Sequence, residues 1–399
     1  MNALTGPDEL LLAFAALADD LGRCGGGRGQ SGHRSRRAAY VAARTAERLS
    51  CGSAVLSTAF RAALIQRLAA STVSPTMFGR ERIASGAVHD AASVAAALTG
   101  AAGLTDIAST LASCGSHWDG GGRPSLSGDA IPLSAQLALA GDLADVALAL
   151  TRSEDGAPDL PLAADLLAST AGSELSPDVA GAASSILADP ALRRDLLDPA
   201  PAVAAIALLL RPLTVSGLDV VRRLVVCTEA RHPYYQRHST GTARIALAIG
   251  RKLGLDARIL SRVELCALVH DVGELVLPDE VFASSSRFLK APLSVREHPA
   301  ASARFCDAVP FLEEVSQLVL LHHEHVDGLG YPRGLRGDAI PLEARIVGVA
   351  DAVDAFHSER AHREALGNDE IARELAIRRG SVFDSSVVDA AIASIDFHT

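Results

Sequence analysis

A chain of 399 residues has room for two domains, each able to bury its own core. It is 49% hydrophobic but only 4% aromatic, so its cores must be built from Ala, Leu, Val and Ile, a mix that suits packed helices. A formal net charge of −10 argues against binding to polymeric nucleic acid or to an anionic membrane surface. The cysteines, Cys24, Cys51, Cys114, Cys227, Cys266 and Cys306, form no CxxC pair and read as reduced thiols of a cytoplasmic protein. Met1–Leu10 lacks the basic start and apolar centre of a signal peptide. The most apolar runs, Leu133–Leu150 and Pro201–Leu210, are too short or carry Pro and Asp, so no spanning helix is expected.

In chain order, Leu10–Leu21 is an apolar helical run, followed by a Gly/Arg/Ser surface loop at Gly22–Gly32 that lacks the GxxxxGK[ST] phosphate cradle. His33–Leu49 and Val55–Ala70 read as amphipathic helices, His89-Asp90 as a capping or surface pair, and Gly115–Gly128, around Trp118, as a long loop. Ile131–Thr151, Leu160–Leu175, Asp178–Leu187 and Pro201–Leu210 add Ala/Leu helices, several opened by Asp, Ser or Pro. Almost nothing alternates with period two, so an all-α fold is expected. From Arg211 the character changes: nine of the thirteen histidines fall between His232 and His362. Residues 1–205 are therefore read as a non-catalytic helical domain and 206–399 as the domain that carries chemistry.

Metal-type side chains recur in that second half at helix ends. His238 opens a helix through Leu253, and His270-Asp271 ends the run Ile259–Val269. His298 starts another stretch, His322 and His323 close Phe311–Leu321, and Asp351 lies four residues after Val347 on Leu342–Phe356. Helical spacing turns these groups inward, where several imidazoles and a carboxylate are hard to satisfy by hydrogen bonds alone. A metal centre answers that problem. The donors are nitrogen and oxygen without thiolate, and too many for a closed structural zinc site. They suit two divalent ions sharing a carboxylate, with iron or manganese ahead of zinc. Two ions about 3.5–4 Å apart can hold a bridging hydroxide and stabilise in-line displacement at phosphorus, so phosphoester hydrolysis is the expected reaction. The stretch His322–Pro341, HHEHVDGLGYPRGLRGDAIP, then supplies a rigid turn beside the donors.

These residues resemble the HD-GYP family of metal-dependent phosphohydrolases, from about Val220 to the C-terminus. The likeness rests on HDVGELVLPDE at His270–Glu280, HP at His298, and the HHExxDGxGYP block running on into IPLEARIVGVADAVDAF. It implies an all-α fold and hydrolysis of cyclic di-GMP to linear pGpG or on to GMP. It assigns metal binding to His238, His270, Asp271, His298, His322, His323 and Asp351, with Asp271 as the bridge. It assigns the substrate pocket to Asp327, Gly330, Tyr331 and Pro332, and phosphate contacts to Arg360 and Arg363. The sequence departs from the family at Glu274, which replaces the lysine of HDxGK. Beside the catalytic Asp271, Glu274 either slows turnover, changes the substrate or joins the metal shell. Tyr234 stands where three-metal members carry a glutamate, so two ions are expected. The segment between Pro278 and His298 departs as well, with Ser284–Ser286 and Pro292. The alternatives are a catalytically weak module that binds a cyclic dinucleotide or a signalling partner protein, and a phosphohydrolase for another nucleotide. Finally, GHRSRRAAYVAARTAERL from Gly32 is similar to RHSTGTARIALAIGRKLGL from Arg237, placing His33 at His238 and Gln66-Arg67 at His270-Asp271. On that reading the first half is a degenerate HD-like repeat serving packing, homodimerisation or ligand sensing.

Overall fold

The computed structural model describes residues 6–24, 33–68, 91–153, 156–229, 237–276, 295–358 and 365–394. The pair His89-Asp90, Tyr234, the segment around Ser284–Ser286 and Pro292, and both Arg360 and Arg363 lie outside the described residues. Among those described, all regular secondary structure is helical. The chain divides into two compact units, Met1–Cys227 and Thr228–Thr399.

Unit 1 runs through α1 (Pro7–Cys24), α2 (Arg34–Arg48), α3 (Ser53–Ile65), α4 (91–98), α5 (Thr105–Ser113) and α6 (Leu133–Leu150). It continues with α7 (Leu160–Ala168), α8 (Pro177–Ala188), α9 (Arg193–Leu197), α10 (Ala200–Leu209) and most of α11 (Gly217–Glu229). α2 packs on α3 and α6 over a core of Tyr40, Phe60, Leu64 and Leu137, each almost wholly buried. By length and composition α6 could cross a membrane, but 67% of it is buried inside the unit, and it carries Asp142 and Asp145. It is a core helix.

The division falls between Cys227 and Thr228 rather than near residue 205. Hydrogen bonds hold the intervening stretch to unit 1: Arg61 donates to the Arg211 carbonyl, Leu213 N to Asp8, and Arg223 to the Ala97 and Thr99 carbonyls. α7 also stops at Ala168 instead of running on to Leu175, because the Ser169 and Thr170 hydroxyls donate to the Leu166 and Leu167 carbonyls and close the helix early.

Unit 2 is built from α12 (His238–Lys252), α13 (Ala257–Val269), α14 (His298–Asp307), α15 (Ser316–Leu320), α16 (Leu342–His357), α17 (Asn368–Arg378) and α18 (Ser385–Ser394). α12 lies against α13 and α16, burying Ile245, Ile249, Val263, Leu268, Val347 and Val353. Asp256 caps α13 by accepting from Ile259 N at 2.9 Å, and Pro299 occupies the first turn of α14. The stretch Phe311–Leu321 is not one helix: a 3-10 turn at Glu313–Val315 leads into α15, which ends at Leu320. There His322 Nδ1 donates to the Val319 carbonyl, one of those a helix end leaves open. These breaks bring the ends of α13 and α15 and the starts of α12 and α14 to one place on α16.

Candidate metal centre

The structure brings His238, His270, Asp271, His298, His322, His323 and Asp351 together. Possible ligand atoms of His238, His270 and Asp351 lie within 4.8 Å of one another, and so do those of His298, His322 and His323. Asp271 stands between the two sets. Its Oδ2 lies 3.6 Å from His238 Nε2 and 3.3 Å from His270 Nε2, while its Oδ1 lies 3.1 Å from His298 Nε2 and 3.7 Å from His322 Nε2. Asp351 Oδ1 closes the first set at 3.2 Å from His238 Nε2.

The imidazoles are oriented from behind. The Nδ1 atoms of His270, His298 and His322 donate to the carbonyls of Ala267, Val295 and Val319, each three residues earlier, at 2.8, 2.7 and 2.6 Å. His238 Nδ1 donates to Asp354 Oδ2 at 2.7 Å. All four rings thus turn Nε2 into the site, the arrangement in which a metal-ligating histidine is held by its other nitrogen. Asp354 reaches His238 because Gly241 leaves room: a Cβ there would sit 2.0 Å from the Asp354 carboxylate.

Charge completes the case for cations. Burial alone would lower the His270 imidazole, but Asp271 and Asp351 outweigh it and lift it to about 10. His238 is buried too, and its bonds to Asp271, Asp351 and Asp354 raise it well above the usual value. Burial pushes His323 down to about 3, with His298 adding to the fall, so its nitrogen stays an acceptor. Asp271 Oδ1 and His270 Nε2 are buried without a hydrogen-bond partner. Carboxylates that pull protons onto buried imidazoles, next to orphaned donor atoms, make a site where divalent ions compete with protons. The residues present fit metal ions. Glu274 joins the edge of this cluster, its carboxylate within 4.8 Å of ligand atoms of Asp271 and His298. Burial, then the Asp271 charge, raise its carboxyl to about 8.

The loop Asp327–Pro332 closes over one side. The Tyr331 ring lies 4.9 Å from that of His323, and the Arg296 guanidinium sits 5.0 Å from the Tyr331 centroid. Gly330 is required by packing, since a Cβ would meet His325 N at 2.2 Å. Asp327 is engaged in the turn itself, accepting from Leu329 N at 2.8 Å, while its own N donates to the Ser381 carbonyl at 2.9 Å. Pro332 is exposed.

Three supporting carboxylates escaped the sequence reading. Asp354 could have been found as the residue three after Asp351 on α16. Glu229 accepts from Ser239 N at 2.5 Å and fixes the start of α12. Glu324, inside the HHE triplet, accepts from Arg333 N at 2.6 Å and Leu335 N at 2.9 Å and holds the loop. Replacing Glu324 by Ala leaves both amides unpaired, and we expect a loss of about 1–3 kcal/mol in stability. Hydrogen exchange at the Arg333 and Leu335 amides should rise with it; unchanged protection at both would contradict the role given to Glu324.

Comparison with known proteins agrees with this geometry. The HD domain family profile matches residues 221–387. A cyclic di-GMP phosphodiesterase response regulator, RpfG of Xanthomonas campestris, is 36% identical over 153 residues, 38% of this chain and 40% of that protein. A 3'3'-cGAMP-specific phosphodiesterase 3 of Vibrio cholerae is 26% identical over 272 residues, 65% of this chain and 56% of that one. The chain spans about half the length of the curated relatives it matches. The crystal structure of a cyclic GMP-AMP specific phosphodiesterase of V. cholerae has the same fold, with a TM-score of 0.60 at 19% identity over 99% of both chains. Residues 221–387 thus match the HD domain family, and the relatives matched are named as cyclic dinucleotide phosphodiesterases.

Proposed function

We propose that unit 2 hydrolyses a phosphodiester bond of a cyclic dinucleotide, cyclic di-GMP in the first instance, to linear pGpG and on to GMP. The observation that carries this is Asp271, whose two oxygens face two separate sets of imidazole nitrogens. His238, His270 and Asp351 would hold one divalent ion and His298, His322 and His323 the other, with Asp271 between them. A nitrogen and oxygen donor set without thiolate favours iron or manganese. Two such ions supply Lewis acidity and a water of lowered pKa.

The rest falls to the chain's own groups. Asp354 keeps the His238 tautomer that offers Nε2, and the three backbone carbonyls do the same for His270, His298 and His322. Tyr331 walls the site beside His323 and limits the entry of bulk water. Arg296, held over that ring, brings a positive charge to the rim, where it complements a phosphodiester. The names of the curated relatives support a cyclic dinucleotide as substrate, and one of them is named for 3'3'-cGAMP.

The test is to incubate metal-loaded protein with cyclic di-GMP and with 3'3'-cGAMP and to separate the products. Linear dinucleotide or mononucleotide should accumulate with the wild type and not with His270→Ala. No product from either substrate, or equal product from both proteins, would sink the reading. Glu274 favours a second reading, because a buried acid replaces the family lysine. On that reading the site binds the nucleotide and turns it over poorly, and calorimetry would show binding without product.

A further inference from the structure

Several elements of unit 1 match elements of unit 2 in order and in their local hydrogen bonds. α2 and α12 each follow a residue in the left-handed region, His33 at φ 90° and Arg237 at φ 67°. Each helix has its first turn fixed by a carboxylate: Ser35 N donates to Asp19 at 2.6 Å as Ser239 N does to Glu229 at 2.5 Å. The sequence GDAIPL recurs at Gly128–Leu133 and Gly337–Leu342, each time as a 3-10 turn running into the long central helix, α6 or α16. The loops before it are tied alike. Trp118 N and Asp119 N donate to the Glu174 and Ser173 carbonyls, as Val326 N and Asp327 N do to those of Val382 and Ser381. Arg123 N donates to the Gly115 carbonyl as Tyr331 N does to that of His323.

This register shifts the expected pairing of α2 with α12 by one residue. His33, the left-handed residue, matches Arg237, and Arg34 stands where His238 does. At the end of α3, Gln66 and Arg67 stand where His270 and Asp271 follow α13. Cys114 takes the place of His322. Two acids are kept: Asp142 and Asp145 occupy on α6 the positions of Asp351 and Asp354 on α16.

What those two acids face has changed. Asp142 pairs with Arg67, so a guanidinium lies where unit 2 has its bridging carboxylate. Asp145 accepts from Arg34 Nε at 2.9 Å and pairs with Arg37, which stands in the place of Gly241. The Asp142 and Asp145 side chains are 4% and 2% exposed. Burial would raise the Asp145 carboxyl, but Arg37, Arg34 and Arg67 bring it down to about 2. Among the described residues of unit 1 no group of His, Cys, Asp and Glu side chains gathers at metal-binding distance. A fixed cation at the centre would repel a divalent ion, and Arg34, Gln66 and Cys114 stand where unit 2 has three of its imidazoles.

We propose that unit 1 is a second copy of the unit 2 fold in which a buried guanidinium–carboxylate network replaces the divalent ions. The chain then holds one metal centre, and unit 1 keeps its shape without metal. The experiment is elemental analysis of the purified full-length holoprotein and its variants, alongside circular dichroism. His270→Ala combined with His322→Ala should reduce bound metal to under a tenth of the wild-type content. Asp142→Asn should leave the content unchanged. Arg34→Gln, at a side chain 33% exposed, should leave it unchanged too, and keeps the test decisive if Asp142→Asn does not fold. Metal retained stoichiometrically after the two unit 2 substitutions, or lost on Arg34→Gln in a folded chain, would overturn the proposal. A chain with no metal in any form would sink the assignment of the unit 2 centre instead, which separates the two failures.

Discussion

Asp271→Asn is expected to lower phosphodiester hydrolysis by about a thousandfold or more, roughly 4 kcal/mol of lost transition-state stabilisation, while leaving the helices of unit 2 in place. The substitution keeps the size of the side chain and removes its charge. Among the described residues, Asp271 is the only carboxylate whose separate oxygens face His238 and His270 on one side and His298 and His322 on the other. An amide has one oxygen to offer and cannot serve both sides as an anion. Metal content should fall with activity, which distinguishes this effect from loss of a mere proton carrier. Asp271 is mostly enclosed, its side chain 16% exposed, and the imidazoles around it hold its carboxyl far below the usual range. Without metal, Asn at this position removes the charge that holds protons on His238, His270 and His298, so these imidazoles should titrate at lower pH. Proton NMR of the metal-free protein measures this directly. Histidine titrations identical to wild type would contradict the geometry described.

Much of this centre was legible in the sequence because its donors stand at helix boundaries that local chemistry marks. Asp256 caps α13 and so fixes its phase, which delivers His270-Asp271 at the far end. Pro299 marks the start of α14 just after His298. Helical periodicity likewise put Asp351 on the buried side of α16. The supporting carboxylates were not legible, since their roles depend on partners far along the chain. Asp354 acts on His238 across 116 positions, and only Gly241 on the facing helix makes room for it. The point where the compact units divide is not legible in composition, for a related reason. Composition changes at Arg211, but Asp8, Ala97 and Thr99 hold the next stretch to unit 1 through backbone groups that composition does not record. The proposed repeat is legible only in part: Gln66-Arg67 follows α3 as His270-Asp271 follows α13, while backbone conformation pairs His33 with Arg237 and not with His238.

Glu274→Gln is expected to weaken divalent-metal binding by about 10–100-fold, the range for residues that support a metal site from its edge. Glu274 follows Asp271 in the 3-10 turn Val272–Val276 and is only 8% exposed. Burial first, and the neighbouring Asp271 charge second, raise its carboxyl to about 8, so without a cation it is protonated at neutral pH. A divalent ion near Asp271 and His298 would displace that proton. The direction follows: the Glu274 proton competes below about pH 8, so the Glu274 contribution to metal affinity should climb as pH rises toward 8 and then level, while the histidine protons compete to higher pH. Glutamine cannot ionise, and this part of the pH dependence should vanish with the substitution. Glu274→Lys separates the remaining readings. It places a cation where the HDxGK pattern has its lysine, at the cost of a carboxylate beside the proposed ions. If Glu274 helps to hold metal, the lysine variant binds metal more weakly than wild type, and excess metal restores only part of its turnover. If Glu274 is merely the residue left by a lost lysine, Glu274→Gln binds metal normally and Glu274→Lys turns over cyclic di-GMP faster. The geometry favours the first outcome, because the carboxylate already lies within ligand distance of Asp271 and His298.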